Sequence, residues 1–109
     1  MTDIEIKGVD ALTSKQWVDE GKAVLIDVRE QNEWDQANIS GATLVPLSAF
    51  NMAALPKDTD KIAIFHCRSG QRTANYFGLF LETPFKEVYH MEGGIISWNE
   101  AGLPINSGD

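Results

Sequence analysis

The chain has a single cysteine, two histidines and three arginines in 109 residues. Cys67 therefore has no partner for an internal disulfide and no second thiol to resolve an oxidised form. Cys67, His66 and His90 lack the spacing of a metal-ligand set, so neither a metal nor any other cofactor is expected. No apolar run approaches the length of a membrane span, which argues against a membrane segment. The start, Met1-Thr-Asp-Ile-Glu5, lacks the basic and apolar regions of a signal peptide, so the expected location is cytoplasmic. A net charge of −7 disfavours nucleic acid and anionic membranes as partners. Repeats, linkers and low-complexity segments are missing too, and the length suits one domain, 1–109, with 106–109 as a loose tail.

What is present centres on Lys61-Ile-Ala-Ile-Phe-His-Cys67-Arg-Ser-Gly-Gln-Arg72-Thr73. Ile62 to Phe65 form an unbroken apolar run, as in a strand covered on both faces. Arg68 to Gln71 read as loop, and helical spacing of apolar residues starts after Thr73. Two of the three arginines, Arg68 and Arg72, bracket this loop with no acid between them, which reads as a local anion site on an acidic protein. A sulfur at a strand end, under a helix N-terminus, lies among unpaired N–H groups that favour thiolate.

Several other elements are legible along the chain. Ile4 to Val9 reads as an edge strand. Thr13 and Gln16 fit a capping box, with Leu12 and Trp17 as its hydrophobic staple and Gly21 as the stop. Ala23 to Val28 is a second buried strand, and Gln31 to Gln36 one polar helical turn. Thr43 to Val45 suggests a short strand, and Ser48 a cap for a brief helix reaching Leu55. A helix over Thr73–Glu82, a strand over Glu87–Met91 and a helix over Ile95–Ala101 complete the pattern. Alternating buried strands and helices imply a parallel α/β sheet covered on both sides, with ligands beyond the strands' carboxyl ends. Cys67 falls at such an end, and Asp27, Arg29 and Glu30 fall at another. Trp17, Trp34 and Trp98 read as packing residues.

A lone cysteine after an apolar strand is most often an inert, buried hydrophobe. The Arg-Ser-Gly-Gln-Arg sequence directly after Cys67 shifts the balance toward chemistry. Gly70 permits a turn whose successive N–H groups face inward as an anion nest. Arg68 and Arg72 add charge-assisted hydrogen bonds, and losing that of Arg72 is expected to weaken use of an anionic donor by about 1–3 kcal/mol. His66 reads as a strand residue satisfied by a backbone partner. His90 has no neighbour in sequence that assigns it a role.

Three motifs resemble those of the single-domain rhodaneses, in order and spacing. They are Leu25-Ile-Asp-Val-Arg-Glu30 with Glu33-Trp34, then Phe65-His-Cys-Arg-Ser-Gly-Gln-Arg-Thr73, then Met91-Glu-Gly-Gly-Ile-Ile-Ser-Trp98 with Gly102-Leu-Pro104. The resemblance implies a five-stranded parallel sheet flanked by helices on both faces. It implies Cys67 as a persulfide carrier, and Arg68, Ser69, Gly70, Gln71, Arg72 and Thr73 as the substrate-binding loop. Asp27 and Arg29 would support the site rather than act on sulfur. The expected activity is sulfurtransferase: a small sulfur-containing anion such as thiosulfate loads Cys67, and cyanide, a thiol or a partner protein takes the sulfur. No general base is required, because the donor's leaving group is already a weak base. One departure is Ala37-Asn-Ile-Ser-Gly-Ala42, where the family commonly reads Gly-His-Ile-Pro-Gly-Ala. Relatives with a similar cysteine loop continue into a membrane hairpin, so this chain reads as a soluble member or an excised domain.

Two other functions compete. Phosphatases and arsenate reductases related to the rhodaneses place five residues between cysteine and arginine, around a tetrahedral oxyanion. Only four separate Cys67 from Arg72, a smaller ring suited to one sulfur atom. The second rival is a persulfide carrier or thiol sensor that acts only with a partner protein.

Overall fold

The structure, a computed structural model, describes residues 4–107. Its elements are β1 (Gly8–Val9), α1 (Ala11–Asp19), β2 (Ala23–Asp27), α2 (Gln31–Gln36), β3 (Ala37–Asn38), β4 (Thr43–Leu44), β5 (Ile62–His66), α3 (Gln71–Asn75), α4 (Phe77–Phe80), β6 (Glu87–Met91), α5 (Gly94–Glu100) and β7 (Asn106–Ser107). Two 3-10 turns, Leu47–Ala49 and Met52–Ala54, lie between β4 and β5. The main sheet has the order β1-β6-β5-β2-β4, every neighbouring pair parallel.

The unbroken apolar runs of β2 and β5 serve two cores at once. Ile26, Ala63 and Phe65 enter one core with Phe77 and Phe80 of α4, where Phe65 and Phe80 stack at 4.1 Å between ring centroids. Ala23, Leu25 and Ile64 enter the other with Ala11 of α1 and Ile95 and Trp98 of α5. Successive strand residues point to opposite faces, so both sides of the run are buried. Cys67 continues this alternation into the α4 core.

β4 lies on one side of β2 and β5 on the other. The chain thus reverses its travel across the sheet between β2 and β5. In such sheets the crevice opens beyond the carboxyl ends at that point. Asp27, His66 and Cys67 all sit there. Pairing continues past the strand ends, Val28 N–H donating to His66 O at 3.0 Å.

Five local expectations need correction. Asp10, not Thr13, caps α1: its Oδ1 accepts the Thr13 N–H at 2.7 Å, and hydrogen bonding by the Thr13 side chain, then by its N–H, lowers the Asp10 carboxyl from its usual range. With the helix starting early, Leu12 points to solvent at 62% exposure and forms no staple. Trp17 instead meets Tyr89 edge-on. The edge strand shrinks to Gly8–Val9. Ser48 caps no helix but donates to Glu30 Oε1, and Asn51 caps the second 3-10 turn. The helix expected over Thr73–Glu82 starts at Gln71 and breaks at Tyr76, after which Leu79 N–H bonds to Tyr76 O in the i−3 pattern. Thr73 faces Cys67 and Phe80 stacks on Phe65 on the same side of the sheet.

The loose tail is corrected in part. Asn106–Ser107 pairs antiparallel with Ala37–Asn38, and Asn106 Nδ2 donates to Asn38 Oδ1. Residues 108–109 of that expectation lie outside the described residues. The segment that departs from the family pattern still closes its turn, Ala42 N–H donating to Ile39 O. No described helix is long and apolar enough to cross a membrane.

Candidate active site

Cys67 follows β5 directly and has 0% exposure. The expected nest of several inward-facing N–H groups is corrected: among the described residues one backbone N–H reaches the buried sulfur. The Gly70 N–H donates to Sγ at 3.1 Å, and the Thr73 hydroxyl lies 3.7 Å from it. The other approach is filled by the α4 core, because strand alternation turns Cys67 inward.

The loop is clamped from the far side. Ile95 N–H donates to Cys67 O at 2.9 Å, and Ile96 N–H to Arg68 O at 3.1 Å. The first-turn amides of α5, which have no partner within their own helix, thus hold the loop's carbonyls. Gly94 makes this approach possible: at φ +58, an added Cβ would lie 2.4 Å from Arg68 O and 2.5 Å from Cys67 O. Gly70 (φ +92) turns the loop into α3, and a Cβ there would meet Gly93 N at 3.0 Å. The two glycine turns interlock.

Asp27 and Arg29 form a buried bidentate pair beside the loop. Arg29 Nε and Nη2 donate to the Asp27 carboxylate, Nη2 at 2.8 Å, and Nη2 also donates to Ala37 O at 2.7 Å. The pair thereby ties β2 to β3. His66 Nε2 lies 3.8 Å from Asp27 Oδ2 and has no hydrogen-bond partner, while Nδ1 is 3.5 Å from Cys67 O. The backbone partner expected for His66 is thus only a long contact. Burial pushes its pKa down, with Asp27 opposing and Arg29 adding to the effect.

Arg72 does not face an acid-free pocket, as the loop sequence alone suggested. Its Nη1 and Nη2 each donate to Glu33 of α2 at 2.8 Å. The Arg72 hydrogen bonds pull the Glu33 carboxyl down to about 2, against the effect of burial. Arg68, Ser69 and Gln71 are exposed at the rim. Among the described residues, no group of three or more potential metal ligands gathers.

Thr73, on the buried side of α3, links the thiol to β6. Its Oγ1 is 2.9 Å from His90 Nδ1 and donates or accepts there, besides contacting Gly70 O at 3.2 Å. Burial lowers the His90 pKa, and Glu92 opposes that shift.

Residues 10–101 match the family of rhodanese-like domains. The chain belongs to that family. The probable adenylyltransferase/sulfurtransferase MoeZ of Mycobacterium tuberculosis is 38% identical over 95 residues, 83% of this chain and 24% of that protein. A sulfurtransferase of Allochromatium vinosum is 33% identical over 94 residues, 84% of this chain and 86% of that one. The crystal structure of a thiosulfate sulfurtransferase from Pseudomonas aeruginosa matches with a TM-score of 0.81 at 24% identity, over 95% of this chain and 21% of that one. This last likeness concerns the fold. The chain spans about a quarter of the length of MoeZ.

This rhodanese-like domain thus brings Cys67, Gly70 and Thr73 together and leaves Arg68, Ser69 and Gln71 at the rim. Sequence reasoning missed two partners. Glu33 stood in a motif without a role, because a contact spanning 39 residues leaves no local trace. His90 carried a faint signal: like His66, it lies at the carboxyl end of a central strand, just before a glycine-bearing loop.

Proposed function

We propose that this domain is a sulfurtransferase that carries sulfane sulfur as a Cys67 persulfide. The Gly70 N–H aimed at Sγ, in a loop held rigid by α5, carries the reading. Such a donor stabilises a thiolate and, after loading, the charge near the persulfide. In the first half-reaction the Cys67 thiolate attacks the outer sulfur of a donor such as thiosulfate. A new S–S bond forms, the donor's S–S bond breaks, and sulfite leaves with the electron pair. In the second, cyanide or a thiolate attacks the outer sulfur of the persulfide and the Cys67 thiolate leaves. Asp27 and Arg29 hold the loop's surroundings, and Arg68, Ser69 and Gln71 meet the donor at the rim. The proposed setting is cytoplasmic.

One observation favours delivery by a partner protein over a small anion. Cys67 has no exposed surface, and Arg72 is already engaged by Glu33. A donor must open the rim to reach the sulfur, which a docked protein persulfide accomplishes more readily than thiosulfate. The same Arg72–Glu33 pair weighs against phosphatase or arsenate chemistry, which needs the arginine for the oxyanion.

Intact-mass measurement tests the proposal. Thiosulfate or a small persulfide should add one sulfur atom, cyanide should release it as thiocyanate, and Cys67→Ser should stay unloaded. No mass gain in the wild type with any sulfane donor would overturn it.

A further inference from the structure

The reading above uses neither imidazole near the thiol, and His90 is the one whose ring is hydrogen-bonded toward the sulfur. Cys67 is fully buried, so its proton needs a path to solvent. Among the described residues one chain of hydrogen-bonding side-chain atoms leads from it: Cys67 Sγ, Thr73 Oγ1 at 3.7 Å, then His90 Nδ1 a further 2.9 Å on. The ring at its far end is not fully enclosed, since His90 keeps 8% exposure. His66 offers no alternative route, because its Nε2 is sealed and its Nδ1 faces the Cys67 carbonyl, not the sulfur.

Counting protons on Thr73 gives the coupling. Its oxygen has one hydrogen and two lone pairs, shared among Gly70 O, His90 Nδ1 and Cys67 Sγ. Gly70 O can only accept and competes for that hydrogen, but it also receives the Ala74 N–H at 3.0 Å, so the hydroxyl is able to turn from it and donate to a thiolate, which can only accept. His90 Nδ1, 2.9 Å from the same oxygen, must then carry a proton and donate to Thr73. When sulfur is a thiol, it can donate to Thr73 while Thr73 donates to a bare Nδ1. The two states differ by a paired proton shift, sulfur to oxygen and oxygen to nitrogen. Thr73 ends neutral in both.

We propose that His90 is a positioning residue that takes and returns the Cys67 proton through the Thr73 hydroxyl during sulfur transfer. The proposal deepens the persulfide reading and rests on it. On loading, the thiol proton passes to Thr73, the Thr73 proton to Nδ1, and the thiolate attacks the donor while an imidazolium forms. After the persulfide gives up its outer sulfur, the departing thiolate is reprotonated by the reverse shift or waits for the next donor. The groups facing the ring fit this role. Phe77 of α4 lies edge-on at 6.1 Å between ring centroids, Gly8 of β1 and Phe65 of β5 are its uncharged register partners, and Thr73 comes from α3. Lys7 on the β1 side sits over Tyr89 instead. Glu92 is the one charged group that acts on the ring, and it stabilises the imidazolium. At neutral pH the ring is uncharged because burial disfavours the cation, which leaves Nδ1 free to accept.

The test follows loading of the full reduced chain by thiosulfate, by quenched intact mass, across about pH 5.5 to 8.5, the span in which imidazole and thiol titrate. The wild-type rate should climb as His90 loses its charge and then level off. His90→Gln should load at least about tenfold more slowly near pH 6.5, the modest end of general-base effects, with its rise displaced toward alkaline pH. Thr73→Val should behave alike, and Thr73→Ser should restore the wild-type profile. An unchanged profile in folded His90→Gln overturns the proposal. NMR titration provides an arm independent of those variants: the His90 ring should titrate about one unit differently in wild type and Cys67→Ser, as coupled sites do. Identical titrations overturn it as well. If the wild type never loads, the persulfide reading falls and the NMR arm still decides the proton coupling.

Discussion

Two histidines lie buried on adjacent strands beside the same cysteine, and their surroundings differ in kind. His66 on β5 is fully enclosed, with one nitrogen unpaired and 3.8 Å from a buried carboxylate already bound to Arg29. His90 on β6 keeps 8% exposure and a 2.9 Å hydrogen bond to a hydroxyl that touches the thiol. Burial lowers the pKa of both. A shifted imidazole is therefore not by itself a mark of chemistry. What separates the two is connection: His90 has a hydrogen-bonded path to the thiol and keeps partial exposure, whereas His66 has neither. The second polar cluster, Asp27–Arg29–His66, ties strands together; the first, Cys67–Thr73–His90, can move a proton.

The comparison breaks most visibly at Asp27. Asp27→Ala strands the Arg29 guanidinium in the core, and urea denaturation should show a loss of about 3–5 kcal/mol, as when one partner of a buried pair is removed. A loss under about 1 kcal/mol, the range of exposed pairs, would show that this cluster is not structural. Next in size is Gly94→Ala, which forces a side chain into a positive φ and into the Cys67 and Arg68 carbonyls. It should cost more than about 1 kcal/mol and slow sulfur loading, since the clamp on the loop is displaced.

Acid sensitivity sharpens the contrast between the histidines. Unfolded imidazoles take up protons near pH 6.5, but both native rings resist doing so. The unfolded state then binds more protons, so stability should fall as pH drops below about 6.5, by up to about 1.4 kcal/mol per pH unit for each ring. His66→Phe should flatten part of that slope while leaving stability near neutral pH within about 1.5 kcal/mol. Denaturation midpoints at several pH values would expose a slope that the substitution leaves intact.

The smallest effect is expected at the rim. Glu33→Gln releases Arg72 from a partly exposed pair, so stability at pH 7 should change by less than about 1 kcal/mol. Because the Glu33 carboxyl is lowered from 4.5 to about 2, its contribution is present above about pH 4.5 and is lost as pH falls from there through about 2. The variant should lack this acid-side loss. It should also load faster from thiosulfate relative to an uncharged donor, the freed guanidinium being available to the anion. Equal donor preference in variant and wild type would remove Arg72 from donor selection.

Much of this was readable in the chain. The span Glu87–Met91 was legible as an apolar-rich strand and Gln31–Gln36 as a polar helical turn, alternating strands and helices implied a parallel sheet, and its five strands were what the family resemblance implied. The cap of the first helix was misplaced because two capping patterns overlap, Asp10 with Thr13 and Thr13 with Gln16, and the carboxylate prevailed. At the site, Cys67 and Gly70 were visible from their order along the loop. Arg72 seemed free because its acid lies 39 residues away.

Local composition and periodicity determined which segments form the strands, the turn glycines and the place of the one thiol, since these depend on neighbours within a few residues. Only the tertiary structure decided that the thiol is sealed, that Arg72 is neutralised by Glu33 and that His90 reaches Cys67 through Thr73. Those facts rest on the parallel register and the α5 clamp, which join atoms far apart in sequence within hydrogen-bond range.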